Sequence, residues 1–108
     1  MTNSKAKGAR GERELSSKLK EHGFDTRRGQ QYCGANGDAD VIGLKGIHIE
    51  CKRVEKLNVS NAMSQAIADC KNDFPTIFHR KDREEWLVTM RLQDWVELYK
   101  EFMEDEKC

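Results

Sequence analysis

The stretch from Asp40 to Lys52, DVIGLKGIHIECK, decides the fold. Apolar residues cluster in its two halves, which predicts two strands over residues 40–44 and 47–52. Lys45-Gly46 supplies a turn between them, so the stretch predicts a β-hairpin. Side chains alternate between the two faces of a strand, and the second strand therefore divides into two sets. One face is expected to bury Ile47, Ile49 and Cys51, while the other presents His48, Glu50 and Lys52.

Two further acidic residues are expected near this polar face. Asp40 opens the first strand of the hairpin. Glu12 lies three positions before Leu15 on the predicted first helix, which places it on the helix face that carries Leu15 and Leu19. Glu14 lies about 200° around the helix from Glu12, so we expect Glu14 to face water.

Three carboxylates and Lys52 in one place need compensation, because like charges at short range repel. A divalent cation supplies it, and Mg²⁺ favours carboxylate and carbonyl oxygens. Such an ion can activate bound water and neutralise a phosphoryl oxygen, while Lys52 orients the water or stabilises developing charge. The pattern therefore indicates metal-dependent hydrolysis of a phosphodiester. The competing interpretation is a solvated Glu50–Lys52 ion pair, worth less than ~1 kcal/mol.

The loop of the hairpin decides whether Asp40 can join this site. A two-residue turn would place Asp40 opposite Cys51, and directly opposed residues share a sheet face. Asp40 would then point away from Glu50. The catalytic interpretation therefore predicts an odd-numbered loop, for example residues 45–47, or one β-bulge near Gly43.

The rest of the chain predicts helices around a sheet. The predicted order is α-β-β-β-α-β-β-α, an α/β fold in which helices flank a central mixed sheet. The predicted strands cover residues 24–28, 40–44, 47–52, 76–80 and 86–90. The predicted helices cover residues 8–22, 60–73 and a final segment from Leu92 to Met103, whose apolar stripe should pack on the sheet. Residues 1–108 are expected to form a single domain, with residues 1–7 flexible.

Composition excludes several classes of protein. No apolar run approaches the ~18 residues of a membrane span, and the first residues lack the apolar stretch of a signal peptide. The four cysteines contain no Cys-x-x-Cys pair. We therefore expect reduced thiols, a cytoplasmic location, no membrane association and no small-molecule cofactor.

Charge is unevenly distributed, although 19 basic and 19 acidic residues cancel overall. Residues 1–60 hold 12 Lys/Arg against 8 Asp/Glu, a difference of +4, and residues 61–108 hold 7 against 11, a difference of −4. Basic side chains bind DNA phosphates without regard to sequence. The predicted DNA contacts are Lys7, Arg10, Arg13, Arg27, Arg28, Gln30, Gln31 and Arg53.

Asp40, nine intervening residues and then Glu50-Cys51-Lys52 resemble the signature of the PD-(D/E)XK nucleases. GARGEREL at residues 8–15 and KEHGF at residues 20–24 are similar to the opening of archaeal and phage Holliday-junction resolvases. The end of the chain resembles small phage-encoded members. This resemblance implies a restriction-endonuclease-like αβββαβ core, here with an extra C-terminal strand and helix.

The same resemblance implies roles for residues. Glu12, Asp40 and Glu50 would be metal-associated catalytic carboxylates, the backbone carbonyl of Cys51 a further metal ligand, and Lys52 the catalytic lysine. It also implies Mg²⁺, with Mn²⁺ as an alternative, and a phage-type enzyme for branched or duplex DNA in the host cytoplasm. A four-way junction presents two strands for symmetrical cutting and one subunit offers one active site, so a homodimer is expected.

The sequence departs from the resolvases in two places. Ala39 stands where the family has a proline, and residues 29–39 lack the serine that archaeal resolvases carry before the aspartate. One alternative is therefore a restriction-like or repair nuclease that cuts duplex or flap DNA. Another is a catalytically silent DNA-binding subunit of the same fold. His48, on the face of Glu50, and Gln65, on the next helix, are further polar residues near the motif, as is Asp38.

Overall fold

A computed structural model describes residues 4–29 and 39–106 of the chain. The predicted order of three helices and five strands is confirmed. The elements are α1 (Ser4–Glu21), β1 (Arg27–Arg28), β2 (Val41–Ile42), β3 (Ile47–Arg53), α2 (Val59–Asp69), β4 (Phe74–Arg80), β5 (Leu87–Met90) and α3 (Leu92–Glu106).

The five strands form one mixed sheet in chain order, β1-β2-β3-β4-β5. Strands β3 and β4 are parallel, and the other neighbours are antiparallel. Parallel neighbours need a crossover connection, which α2 provides between β3 and β4. Helix α1 packs against β1, β2 and β3, whereas α2 packs against β3 and β4. The predicted mixed sheet flanked by helices is therefore confirmed.

The main core lies between α1 and the sheet. Leu15 of α1 meets Val41, Ile49 and Phe78, all of them buried. Ile47 and Cys51 pack around this cluster, so one face of β3 is apolar, as its alternation predicts. On the other face, α2 brings the buried Ala62 and Ala66 to the sheet. The small side chains of Ala62 and Ala66 let α2 approach the sheet closely. The polar face of β3 therefore lies beside α2.

Two helix boundaries differ from the prediction. Helix α1 begins at Ser4, so residues 4–7, which we predicted to be flexible, belong to its first turns. Lysine and alanine are good helix formers, and Gly8 does not end the helix. Helix α2 ends at Asp69, and Phe74-Pro75, predicted to follow a helix, instead opens β4. Pro75 precedes the first β4 residue that pairs with β5, so its missing N–H breaks no bond to that strand.

The expected packing of α3 on the sheet is wrong. The stripe of apolar residues is present, but Leu92 is 76% exposed and Phe102 57% exposed. The described part of the chain is accordingly elongated, with extents of 54 × 29 × 25 Å. Periodicity identified the apolar side of the helix correctly, but it carries no information about what covers that side.

Gly43, next to β2, is held in a conformation that side chains rarely adopt, with φ at +125°. A Cβ at this position would lie 2.5 Å from the backbone oxygen of Asp25 and 2.8 Å from Cα of Thr26. We expect Gly43→Ala to lower the free energy of unfolding by about 2–4 kcal/mol, because backbone strain and overpacking both oppose the native state.

Urea denaturation of the Gly43→Ala variant measures this loss. Gly46→Ala is the matched control, since Gly46 also has positive φ (+83°) but nothing lies within 4 Å of an added Cβ. The control should lose only about 1 kcal/mol, the cost of the left-handed conformation. Equal losses in the two variants would contradict a steric role for Gly43.

Candidate active site

The register of the β2–β3 hairpin places Asp40 beside Glu50. The Ile47 N–H donates to the carbonyl of Leu44 at 3.0 Å, which closes a two-residue turn over Lys45-Gly46. Val41 nevertheless pairs with Ile49, so the β2 side holds one extra residue near Gly43, and the register continued from Val41 leads from Asp40 to Glu50. Of the two arrangements that the sequence predicts, the structure therefore has the bulge near Gly43 and not the odd-numbered loop. The Asp40 N–H also donates to the carbonyl of Ile49 at 3.0 Å, which holds the backbone of Asp40 against β3.

The carboxylate of Asp40 turns towards β3. Its Oδ2 accepts a hydrogen bond of 2.8 Å from the backbone N–H of Cys51. This bond holds the Asp40 side chain against the Glu50–Cys51 peptide, at the point where the two strands separate. Asp40 is therefore fixed next to the carboxylate and the carbonyl with which the sequence predicts it to act.

Glu50 is buried although it carries a carboxylate, with its residue only 8% exposed. Its Oε1 lies 3.7 Å from Nε2 of His48 and its Oε2 lies 3.9 Å from Nζ of Lys52. Lys52 also donates to Oε1 of Gln65 on α2, at 3.4 Å. The strand face predicted from alternation thus brings His48, Glu50 and Lys52 together, and α2 adds Gln65, whose role the sequence left open.

Glu12 approaches from α1 and is held by an arginine. Its Oε1 accepts a hydrogen bond of 3.0 Å from Nε of Arg28 on β1. The sequence analysis did not predict this pair, since Glu12 and Arg28 stand 16 positions apart and no local pattern links them. Arg28, predicted to contact DNA, partly neutralises Glu12 in this arrangement.

The thiol of Cys51 packs against the apolar core, on the face of β3 opposite Glu50. Burial raises the pKa of its thiol strongly, and the negative charges of Asp40, Glu12, Glu14 and Glu50 raise it further. The thiol stays protonated at neutral pH and is a poor metal ligand, because the thiolate is the form that binds metals.

The donor atoms suit a hard cation. Among the described residues, no group of three or more His, Cys, Asp and Glu side chains is arranged to hold a metal ion. Mg²⁺, however, commonly uses only one or two carboxylates and keeps several waters. Asp40 and Glu50, with the adjacent Cys51 carbonyl, supply that kind of oxygen ligand. These residues therefore fit Mg²⁺ or Mn²⁺, whereas Glu12 is engaged by Arg28.

Glu14 is more exposed than Glu12, at 37% against 14% of the side chain, but it lies in a separate ionic network that the sequence did not predict. It accepts from Nε of Arg53 at 3.2 Å and from Nη1 of Arg80. Arg53 also contacts Asp82 at 2.9 Å. The network joins α1 to β3 and β4, because Glu14 reaches both strands. Arg53 is thus paired with acids of its own chain, and its predicted contact with DNA stays a prediction.

The other predicted DNA contacts fall into two groups. Arg10, Arg13 and Arg27 are exposed on α1 and β1. The side chain of Lys7, together with Gln30, Gln31 and Asp38, lies outside what the structure describes. Of the helices in residues 4–29 and 39–106, none is long and apolar enough to cross a membrane.

Comparison with known proteins adds a family and a fold. Residues 3–95 match the family model of the archaeal Holliday junction resolvases (Hjc). Among solved structures, the Hjc of Archaeoglobus fulgidus, a Holliday junction resolvase from an archaeal hyperthermophile, superposes with a TM-score of 0.53 at 22% sequence identity. That match covers 78% of this chain and 72% of the other, and it shows a shared fold. No curated protein sequence matches the chain significantly.

Proposed function

The chain belongs to the archaeal Holliday junction resolvase family and has the nuclease function of that family, and from this premise we propose that it cuts four-way DNA junctions in a Mg²⁺-dependent reaction. The observation that carries the proposal is the contact of Asp40 with the Cys51 N–H, beside Glu50 and Lys52. Fixed geometry of this kind lowers a reaction barrier because the groups need not reorganise during the reaction.

Each group has a proposed role. Asp40, Glu50 and the Cys51 carbonyl would hold the ion, and Mn²⁺ would serve in place of Mg²⁺. The bound ion would lower the pKa of a water molecule and neutralise charge on a phosphoryl oxygen. Lys52, steered by Gln65, would stabilise the negative charge that develops on the phosphate. Glu12 would act at the edge of the site, where Arg28 holds its carboxylate.

The exposed arginines would bind the DNA backbone. Arg10, Arg13 and Arg27 would contact phosphates, which gives affinity that weakens as salt rises. Because these contacts carry no base information, we propose recognition by the shape of the junction. The protein would act in the cytoplasm, where its substrate lies.

A cleavage assay on three substrates tests the proposal. Matched duplex, flap and four-way DNA are incubated with Mg²⁺, with Mn²⁺ and with a chelator. We expect cutting of the four-way substrate with either metal and a loss of at least about a hundredfold with the chelator, since the ion activates the water. Equal cutting of all three substrates would favour a restriction-like or repair nuclease. No cutting of any would favour a silent DNA-binding subunit.

The working unit would be a homodimer. One subunit offers one active site, and a four-way junction has two strands to cut symmetrically. The apolar stripe on α3 is the surface that we propose for this contact, because its side chains are exposed in the single chain.

A further inference from the structure

His48 is a buried polar residue that the proposed reaction does not yet use. It is 6% exposed and shares the face of β3 with Glu50 and Lys52. Within residues 4–29 and 39–106, its Nε2 finds no hydrogen-bond partner. A buried polar atom without a partner costs free energy, which an apolar residue at this strand position would avoid. The position of the ring, therefore, calls for an explanation other than packing.

The nearest charged atom to this nitrogen belongs to Glu50. Nε2 of His48 and Oε1 of Glu50 are 3.7 Å apart, and the other oxygen of the same carboxylate faces Lys52. Closing the first gap to a hydrogen bond of about 3 Å needs a shift of less than ~1 Å. Each oxygen of Glu50 would then face its own donor, and the carboxylate could not rotate freely.

We propose that His48 is a positioning residue, which donates from Nε2 to Oε1 of Glu50 and fixes the orientation of that carboxylate towards a bound divalent ion. The inference rests on the proposed metal-dependent cleavage. Partners of metal-binding carboxylates orient them and tune their affinity, and their loss commonly weakens metal binding 10–100-fold. His48 acts through Glu50 and touches neither the ion nor the DNA.

Two substitutions of similar size separate the effect of the hydrogen-bond donor from the effect of the volume that the ring fills. His48→Met keeps a long, adaptable side chain without a donor, and His48→Gln supplies an amide N–H near the position of Nε2. Mn²⁺ binding to the DNA-free protein is measured by the EPR signal of the free ion. Mn²⁺ dependence of junction cleavage is measured in parallel.

We expect His48→Met to bind Mn²⁺ about 10–100-fold more weakly than the wild type. The Mn²⁺ concentration that gives half-maximal cleavage should rise by the same factor. Cleavage at saturating Mn²⁺ should stay within a few-fold of wild type, and His48→Gln should restore most of the affinity. The urea midpoint of His48→Met should not fall, because the substitution removes an unpaired buried nitrogen.

Three results would overturn the inference. Wild-type Mn²⁺ affinity in a folded His48→Met would show that His48 does not act on the ion. Equal losses in both variants would show that the donor is irrelevant. A lowered urea midpoint without a change in Mn²⁺ affinity would indicate a structural role alone. If the wild type neither binds Mn²⁺ nor cuts DNA with it, the proposed function fails as well, which the wild-type control reveals directly.

Discussion

Replacing Glu50 by glutamine will give a folded protein that binds four-way junctions and cuts them roughly a thousandfold more slowly than the wild type. The two side chains have the same shape, so the packing of β3 against α2 is kept. The amide carries no negative charge, however, and binds a divalent cation poorly. The loss should therefore fall on the chemical step, because the exposed arginines that we assign to DNA are unchanged.

The stability of the Glu50→Gln variant, unlike its activity, should not fall. Glu50 is buried, yet its nearest basic atoms lie at 3.7 and 3.9 Å, beyond a strong hydrogen bond. A buried charge loses its favourable hydration, and partners at such distances do not fully compensate for that loss. We therefore expect the urea midpoint of Glu50→Gln to equal or exceed that of the wild type. A residue whose removal stabilises the fold and abolishes activity is one kept for function.

Single-turnover cleavage of a labelled junction at saturating Mg²⁺ measures the rate, and a gel shift in chelator measures binding. Glu21→Gln is the matched control, because Glu21 is an exposed acid at the end of α1 that pairs with Lys18. This control should cut at the wild-type rate. A Glu50→Gln variant that cuts equally fast with metal would show that the site has been placed wrongly.

The central hairpin was largely predictable from the sequence. Alternation along β3 placed Ile49 and Glu50 on opposite faces, and the need to bring Asp40 to the face of Glu50 predicted an odd loop or a bulge near Gly43. Both inferences depend on neighbours within about a dozen positions, where the strand period constrains the chain strongly. The structure adds the bond from the Cys51 N–H to Asp40, which no spacing rule specifies.

Contacts between distant parts of the chain could not be predicted in the same way. Glu14 lies 39 positions from Arg53 and 66 from Arg80, and a helical wheel placed it in water. The wheel describes one helix alone, whereas Gly11 lets α1 approach β3 until a Cβ at this glycine would lie 2.7 Å from Cβ of Arg53. That close approach brings Glu14 within reach of the arginines. The exposure of the apolar stripe of α3 could not be predicted for a similar reason. The periodicity identifies the apolar face of the helix but does not show what packs against that face.

Replacing Trp95 and Phe102 of α3 together by glutamate will convert a dimer into a monomer. These side chains are 50% and 57% exposed in the single chain. Tyr99 stacks between them, with ring centroids 5.2 Å from Trp95 and 6.0 Å from Phe102. Exposed apolar side chains that are grouped in this way commonly mark a surface that binds a partner.

The partner that we propose for the stripe is a second copy of the chain. Leu87 and Val88 of the edge strand β5 are also more than half exposed. A two-fold axis would pack this surface against the same surface of the second copy. The dimer would then carry two active sites, one for each of the two strands that are cut.

Light scattering after size exclusion measures the mass, which should be twice the 12.5 kDa of one chain for the wild type and equal to it for the double variant. The dimer dissociation constant should rise at least about a hundredfold, because buried aromatic anchors dominate such interfaces. The urea midpoint measured at low concentration should change little, since neither side chain is buried in the single chain. Gln93→Glu adds a charge at an exposed polar position of α3 and should stay dimeric.

The two oligomeric states should also differ in their products. On a plasmid with an extruded four-way junction, a dimer cuts both strands in one encounter and releases linear DNA. A monomer with an intact Glu50 site nicks one strand first, so nicked circles should accumulate. If the double variant is monomeric and still yields linear DNA without nicked intermediates, paired cutting does not depend on α3. If the wild type is itself monomeric, the stripe serves another partner and the symmetry argument fails.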